Sequence, residues 1–238
     1  MTEKETARTV IGIIGNVISF FLFLSPLPTM IKIIKQKAVE EFKPDPYIAT
    51  VLNCAMWSLY GLPFVKPHSI LVTTINAVGL VIELIYCVIF FIYSPWKRRR
   101  RIALFLAVEA VIMAGVVLIT MLVFHTTRKR SLFVGILAII LNVIMYASPL
   151  TVMKLVIKTK SVKYMPFYLS LANFCNGLIW LVYALLKIDI NVALPNGLGA
   201  LSGLLQLILY AVYYRTTKWD DDQRRDTDHN RSDPLDPS

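Results

Sequence analysis

The chain is 238 residues long, carries a formal net charge of +10, is 56% Ala, Val, Ile, Leu, Met, Phe, Trp, Tyr and Cys, and has a mean hydropathy of +0.62. So apolar a composition excludes an ordinary soluble domain and predicts an all-α protein of the membrane class. The basic excess does not point to nucleic acid, because the bases sit in loops between apolar stretches.

Residues 1–9 mix acids and bases and are read as an extracellular N-terminus. The apolar stretch after them is too long for a signal-peptide core and has no small-residue cleavage site, so the first span is expected to be retained. Candidate spans then run over about 9–31, 47–64, 70–94, 102–124, 132–153, 166–187 and 192–214, each near the roughly 20 residues a helix needs to cross hydrocarbon. The first, third and fifth loops hold thirteen Lys and Arg, including the run at 97–101, and the second, fourth and sixth hold five. The richer side is expected to be cytosolic, with the N-terminus outside. From Trp219 onward the composition turns to Asp, Arg, Pro and Ser, and 215–238 is read as a disordered cytosolic tail. Its Asn230-Arg231-Ser232 sequon is expected to stay bare there. Cys54, Cys87 and Cys175 fall inside spans without metal-ligand spacing and read as small apolar residues, so no metal or cofactor is expected.

The chain repeats itself. Ser25-Pro26-Leu27 returns as Ser148-Pro149-Leu150, 123 positions later, and Lys35, Lys37, Asn53, Trp57 and Tyr60 return at the same offset as Lys158, Lys160, Asn176, Trp180 and Tyr183. Pro46 with Pro166, and Asn76 with Asn196, repeat at 120. The copies cover 10–94 and 132–214, three spans each, and 95–131 holds one span without a counterpart. An odd-span unit ends opposite to its start, so one added helix restores direction. The expected architecture is seven transmembrane helices as two parallel three-helix repeats joined by an inverting fourth helix, 3+1+3. Parallel repeats of this kind bind substrate near midplane at their interface.

Polar groups at membrane depth are costly unless paired and so mark sites or packing contacts. Asn53 with Trp57, and Asn176 with Trp180, are four residues apart and share a helix face. At 1.5 Å per residue, Trp57, Trp180, Asn76 and Asn196 fall in one layer roughly 10 Å below the outer surface, with Asn53 and Asn176 one turn deeper. Flat indoles suit the C–H faces of a sugar ring, and amides both donate to and accept from hydroxyls. No intramembrane Lys or Arg is present for a charged substrate. Glu83 and Glu109 also lie within spans but have no counterpart, the position equivalent to Glu83 being Gly203. They read as structural pairings, with a proton-coupled carrier through Glu83 as the alternative. Pro26, Pro46, Pro149 and Pro166 fall near cytosolic helix ends, as hinges or as helix-end punctuation. Tyr60, Tyr183 and Asp189 are placed to meet at the outer end, where a phenol–carboxylate bond closes the mouth. A seven-helix sugar-sensing receptor fits less well, because it has no reason to be duplicated in this way.

Together with Thr74-Ile75-Asn76, residues 158–162 (Lys-Thr-Lys-Ser-Val), Met165-Pro166-Phe167 and residues 193–197 (Ala-Leu-Pro-Asn-Gly), these motifs resemble the SWEET sugar transporters of plants over about residues 10–214. The resemblance implies a bidirectional uniporter, not an enzyme, working by alternating access in a lipid bilayer, with plasma membrane or vacuole as its location. It implies a central amide pair at Asn76 and Asn196, a pocket lined by Asn53, Asn176 and Trp180 with Trp57 opposite, a proline tetrad at Pro26, Pro46, Pro149 and Pro166, and an outer gate at Tyr60 and Asp189. The bulky residues at Leu22, Asn53, Met145 and Asn176 resemble those of members that carry monosaccharides such as glucose. Relatives often self-associate as homo-oligomers, but no interface is legible here.

Overall fold

The computed structural model describes residues 3–217 and 219. Among them are nine helical segments: α1 (Glu3–Leu24), α2 (Leu27–Gln36), α3 (Asp45–Tyr60), α4 (Ile70–Tyr93), α5 (Trp96–Leu122), α6 (Thr127–Met145), α7 (Ala147–Thr159), α8 (Phe167–Leu185) and α9 (Ile190–Tyr213). With no water in hydrocarbon to satisfy the backbone, long apolar segments pair their amides internally as helices. Two pairs of segments form single interrupted rods, Glu3–Gln36 and Thr127–Thr159. The seven spans thus appear as seven rods. Six are long and apolar enough to cross a membrane by themselves, and α3 is the short one at 16 residues.

Three boundaries differ from expectation. The first helix begins at Glu3, so most of the segment read as an N-terminal extension is helical and Arg8 packs into the bundle. The first and fifth rods do not end near their Ser-Pro-Leu motifs. They break there and continue to Gln36 and Thr159, where Lys37 and Lys160 each close the helix in the left-handed conformation, at φ 54° and 50°. The prolines therefore divide. Pro46 lies in the first turn of α3 and Pro166 caps α8, places where a missing N–H costs nothing. Pro26 caps α2 at the first break, and Pro149 lies just past the second. Most of the tail reading, with its sequon, falls on residues outside the described ones.

Hydrogen bonds between residues distant in sequence sort the helix ends into two groups. At one end, here the sealed end, Arg8 of α1 meets His68, Ser69 and Tyr183, Arg130 of α6 meets Phe64, and Asn191 of α9 meets Ser131 and Tyr60. At the other, here the basic end, Arg98 and Arg101 of α5 reach Phe42 and Asp45, and Thr216 and Thr217 reach Lys160 and Val162. Three guanidiniums of the run at 97–101 are thereby engaged by carbonyls or by Asp45.

The largest core cluster sits towards the sealed end and mixes both copies, with Trp57, Tyr60, Val72, Trp180, Tyr183 and Val192 among its members. Smaller clusters sit near the basic end, one for each copy. Small residues let the helices approach. A Cβ on Gly177 would fall 2.6 Å from the Ala200 amide nitrogen, and one on Gly203 would fall 2.7 Å from the Phe174 Cα, so α8 and α9 meet backbone to backbone. Apolar side chains outside these seams, such as Leu104, Val111, Leu118 and Leu122 of α5, point outward as a membrane-spanning helix requires.

Candidate functional site

A cavity of about 300 Å³ lies at the centre of the bundle, between the two copies. The first copy supplies Ser19, Leu22 and Phe23 from α1, Asn53 and Trp57 from α3, and Val72, Ile75 and Asn76 from α4. The second supplies Asn142 from α6, Asn176 and Trp180 from α8, and Val192 and Asn196 from α9. Seven of the eight residues anticipated for substrate thus converge: Asn53, Asn76, Asn176, Asn196, Trp57, Trp180 and Leu22. Met145 does not. It lies in an adjoining cavity of about 350 Å³ within the second copy, with Tyr146, Pro149 and Gln206, which meets the first at Asn142, Asn176 and Asn196 and extends towards the basic end.

The repeat explains the convergence and reaches further than the matched residues. Ser19 and Asn142 are 123 positions apart, as are Phe23 and Tyr146, while Val72 and Val192 are 120 apart. Ser19 and Asn142 are both polar at equivalent span positions, but a serine and an asparagine do not match as identities. Phe23 and Tyr146 diverge in place as well. The Phe23 ring covers Gly79 beside the central cavity. The Tyr146 hydroxyl turns away and donates to the Pro195 carbonyl of α9, and Met145 beside it lies in the adjoining cavity.

Hydrogen bonding leaves the amides partly free. Asn76 Nδ2 donates to the Val72 carbonyl at 2.8 Å and Asn196 Nδ2 to the Val192 carbonyl at 2.8 Å. Each amide is thereby pinned back on its own helix, while neither carbonyl oxygen is the acceptor in that bond. On the α1–α8 side a chain crosses the copies: Trp180 Nε1 donates to Ser19 Oγ at 3.0 Å, and Ser19 Oγ donates to Asn176 Oδ1 at 2.6 Å. On the α3 side Asn53 Oδ1 is buried without a protein partner. An orphan acceptor in a cavity lined by other amides is an unfilled demand for a donor. The indoles are buried, and each packs edge-on against the tyrosine one turn nearer the sealed end, Trp57 on Tyr60 at 5.3 Å and Trp180 on Tyr183 at 5.1 Å.

Above the tryptophans the bundle is shut. Tyr60 donates to Asp189 Oδ1 at 2.7 Å, Asn191 Nδ2 donates to the Tyr60 hydroxyl at 3.3 Å, and Lys66 Nζ lies 3.6 Å from Asp189 Oδ2. Tyr183 departs from expectation. It does not share the carboxylate but engages Ser69 and stacks under Arg8. The reason is the repeat: Ser69 is the residue 120 positions before Asp189, so each tyrosine turns to the residue before the other copy's third helix, an aspartate for Tyr60 and a serine for Tyr183.

Glu83 is buried in α4 but does not line the cavity, and one carboxyl oxygen of Glu83 and one of Glu109 lack hydrogen-bond partners. The structural pairing expected of them is not evident at those two atoms. Among the described residues no group of three or more His, Cys, Asp and Glu side chains is placed to hold a metal ion.

A membrane-embedded duplicated bundle that encloses a small amide-and-indole chamber, sealed at one end, has the form of a carrier for a small neutral solute. A family model described as "Sugar efflux transporter for intercellular exchange" matches residues 9–98 and again 132–218, once for each copy and leaving out all but the start of α5. Arabidopsis thaliana "Bidirectional sugar transporter SWEET5" is 62% identical over 222 residues, covering 93% of this chain and 92% of that protein. "Bidirectional sugar transporter SWEET7b" of Oryza sativa subsp. japonica is 56% identical over 91% of this chain and 82% of its own length. Among solved structures, "The 3.7 A resolution structure of a eukaryotic SWEET transporter" superposes with a TM-score of 0.87 at 37% identity, covering 90% of this chain and all of the other. The chain belongs to the SWEET family of sugar transporters, integral membrane proteins and not enzymes.

Proposed function

We propose that the protein is a passive, bidirectional uniporter for a monosaccharide, with glucose the foremost candidate, in the plasma membrane. The observation that carries this reading is the central cavity, where equivalent amides and indoles from both copies face one volume. Its size supports a single ring: about 300 Å³ is the small end of the roughly 300–1,000 Å³ typical of ligand sites. Asn76 and Asn196 bind hydroxyls with their free carbonyl oxygens, Asn53 accepts from another, and Trp57 and Trp180 flank the ring. Leu22 narrows the chamber, and Met145 narrows its continuation towards the basic end.

The repeats run parallel, with α5 as the inverter. The meeting of α1 and α6 starts at the sealed end supports this, and the basic loops put the opposite end in the cytosol. The conformation is then inward-facing. Tyr60 and Asp189 form the outer gate, and Pro26 and Pro149, at the two rod interruptions, are the hinges about which the inner halves close while the outer end parts.

Proton coupling through Glu83 is the competing reading. The absence of Glu83 from the cavity lining speaks for uniport, since a coupling group must sense the substrate. Reconstituted into liposomes, the protein is expected to bring labelled glucose to equal concentrations inside and out, with no effect of protonophore. Accumulation above the external concentration that collapses with protonophore would overturn uniport.

A further inference from the structure

We propose that Arg8 and Arg130 are a quasi-symmetric pair of seam locks at the sealed end, and that Arg8 must release α8 each time that end opens. The inference rests on the transport reading above. Each arginine stands near the start of its copy's first helix, α1 or α6, and each donates to a main-chain carbonyl at or just past the end of the other copy's second helix. Arg8 Nε donates to the Tyr183 carbonyl at 3.3 Å, and Arg130 Nη1 to the Phe64 carbonyl at 3.2 Å. Tyr183 lies in the last turn of α8, whose carbonyls lack intrahelical donors and carry the negative end of its dipole, so a guanidinium is the fitting partner there, whereas Phe64 is a loop carbonyl past α3. The turn ending α8 sends its amides to Val182, Ala184 and Leu185, which leaves the Tyr183 carbonyl to Arg8.

Arg8 is the more committed of the two. It is only 6% exposed, its guanidinium lies 4.0 Å from the centre of the Tyr183 ring, and its other nitrogens donate to the His68 carbonyl and, at 3.4 Å, to Ser69 Oγ. Its partners divide by copy: His68 and Ser69 belong to the first, Tyr183 to the second. When the repeats separate at this end, Arg8 stays with the first and gives up both the carbonyl and the ring. The Tyr60–Asp189 bond closes one side of the mouth, between α3 and α9, and Arg8 closes the other, between α1 and α8. Arg130 ties α6 to Phe64 more lightly, because its Nε is spent on its own Phe124 carbonyl.

The test is the ratio of half-saturation concentrations for zero-trans glucose entry and exit, measured on the full chain in cells lacking other hexose carriers. This ratio does not depend on how much protein reaches the surface, so a loss of folded copies leaves it unmoved. Arg8→Gln is expected to lower the entry value relative to the exit value by about fivefold, because the population of outward-facing empty carrier rises. Arg130→Gln is expected to move the ratio the same way by less, and serves alone if Arg8→Gln does not reach the membrane. An Arg8→Gln carrier with measurable flux and an unchanged ratio would overturn the lock, and an unchanged ratio in Arg130→Gln would overturn the pairing. Native protein without any glucose flux would instead defeat the transport reading itself.

Discussion

The Tyr60 hydroxyl donates to Asp189 Oδ1 at 2.7 Å, joining the end of α3 in one copy to the residue before α9 in the other. Both side chains are buried, at 0% and 2% exposure, so neither finds water while the bond is closed. A hydrogen bond to a charged group contributes about 1.5–3 kcal/mol. Removing it favours the state in which Asp189 is hydrated. In a protein whose Cys54, Cys87 and Cys175 are replaced by serine, a cysteine at buried Val72 is expected to resist an impermeant thiol reagent applied from outside. Adding Tyr60→Phe is expected to speed its labelling roughly tenfold or more, the equivalent of about 1.4 kcal/mol. Equal labelling rates would remove Tyr60 from the gate.

Ser19 tests the polar chain across the α1–α8 seam. Its hydroxyl accepts from Trp180 and donates to Asn176, and is the only link between them in that chain. Ser19→Ala strands an indole N–H and an amide oxygen at the cavity wall, a cost of about 1–3 kcal/mol for each group left unpaired. Glucose affinity is expected to fall, and Ser19→Ala combined with Asn176→Ala is expected to be markedly less than additive. Additive losses in a double-mutant cycle would show that the two residues act separately.

Much of this site was legible from identities at offsets of 123 and 120, because a chain that repeats its spans must bring equivalent positions to one pseudo-symmetric centre. What escaped has a common cause, namely residues that occupy equivalent positions without being the same. Ser19 and Asn142 fill matching places in the wall with different polar groups, and Phe23 and Tyr146 part company over one hydroxyl. Tyr183 was expected at Asp189, although its own symmetric partner is Ser69. Hydropathy understates the rod lengths because it falls where the basic residues begin, at Lys32 and Lys154, while the backbone remains helical to Gln36 and Thr159. The place of Arg8 is hidden in the sequence because a charged residue before an apolar run reads as solvated.

Glu83→Gln separates uniport from coupling. The change removes the ionisable proton but preserves shape and one acceptor, and the side chain stands outside the cavity lining. Glucose flux at saturating substrate is expected to stay within about twofold of native, in keeping with the small effects typical of changes away from a site. Loss of flux at normal surface abundance would reinstate the proton-coupled reading.

Backbone strain sits beside the carboxylate. Ile188, next to Asp189, has φ 48°, and His68 at the equivalent position has φ 63°. Histidine tolerates this region, whereas a β-branched residue is an outlier there. A residue held in such a region costs on the order of 1–3 kcal/mol. The Ile188 side chain is exposed and contributes little packing. Ile188→Asn is therefore expected to raise the thermal unfolding midpoint of the detergent-solubilised protein. A lowered midpoint would mean that the isoleucine contributes more through packing than its backbone loses.

The most direct test of the central claim is counterflow in proteoliposomes preloaded with unlabelled glucose, comparing native protein with Asn196→Ala. The native carrier is expected to accumulate labelled glucose transiently, with competition by other monosaccharides in preference to disaccharides, and the substitution to weaken the apparent affinity roughly 5- to 150-fold, from about 1–3 kcal/mol for hydroxyls and amides left unpaired. Native counterflow that Asn196→Ala leaves untouched at equal reconstitution would contradict that claim, because the sugar would then not be held between these amides.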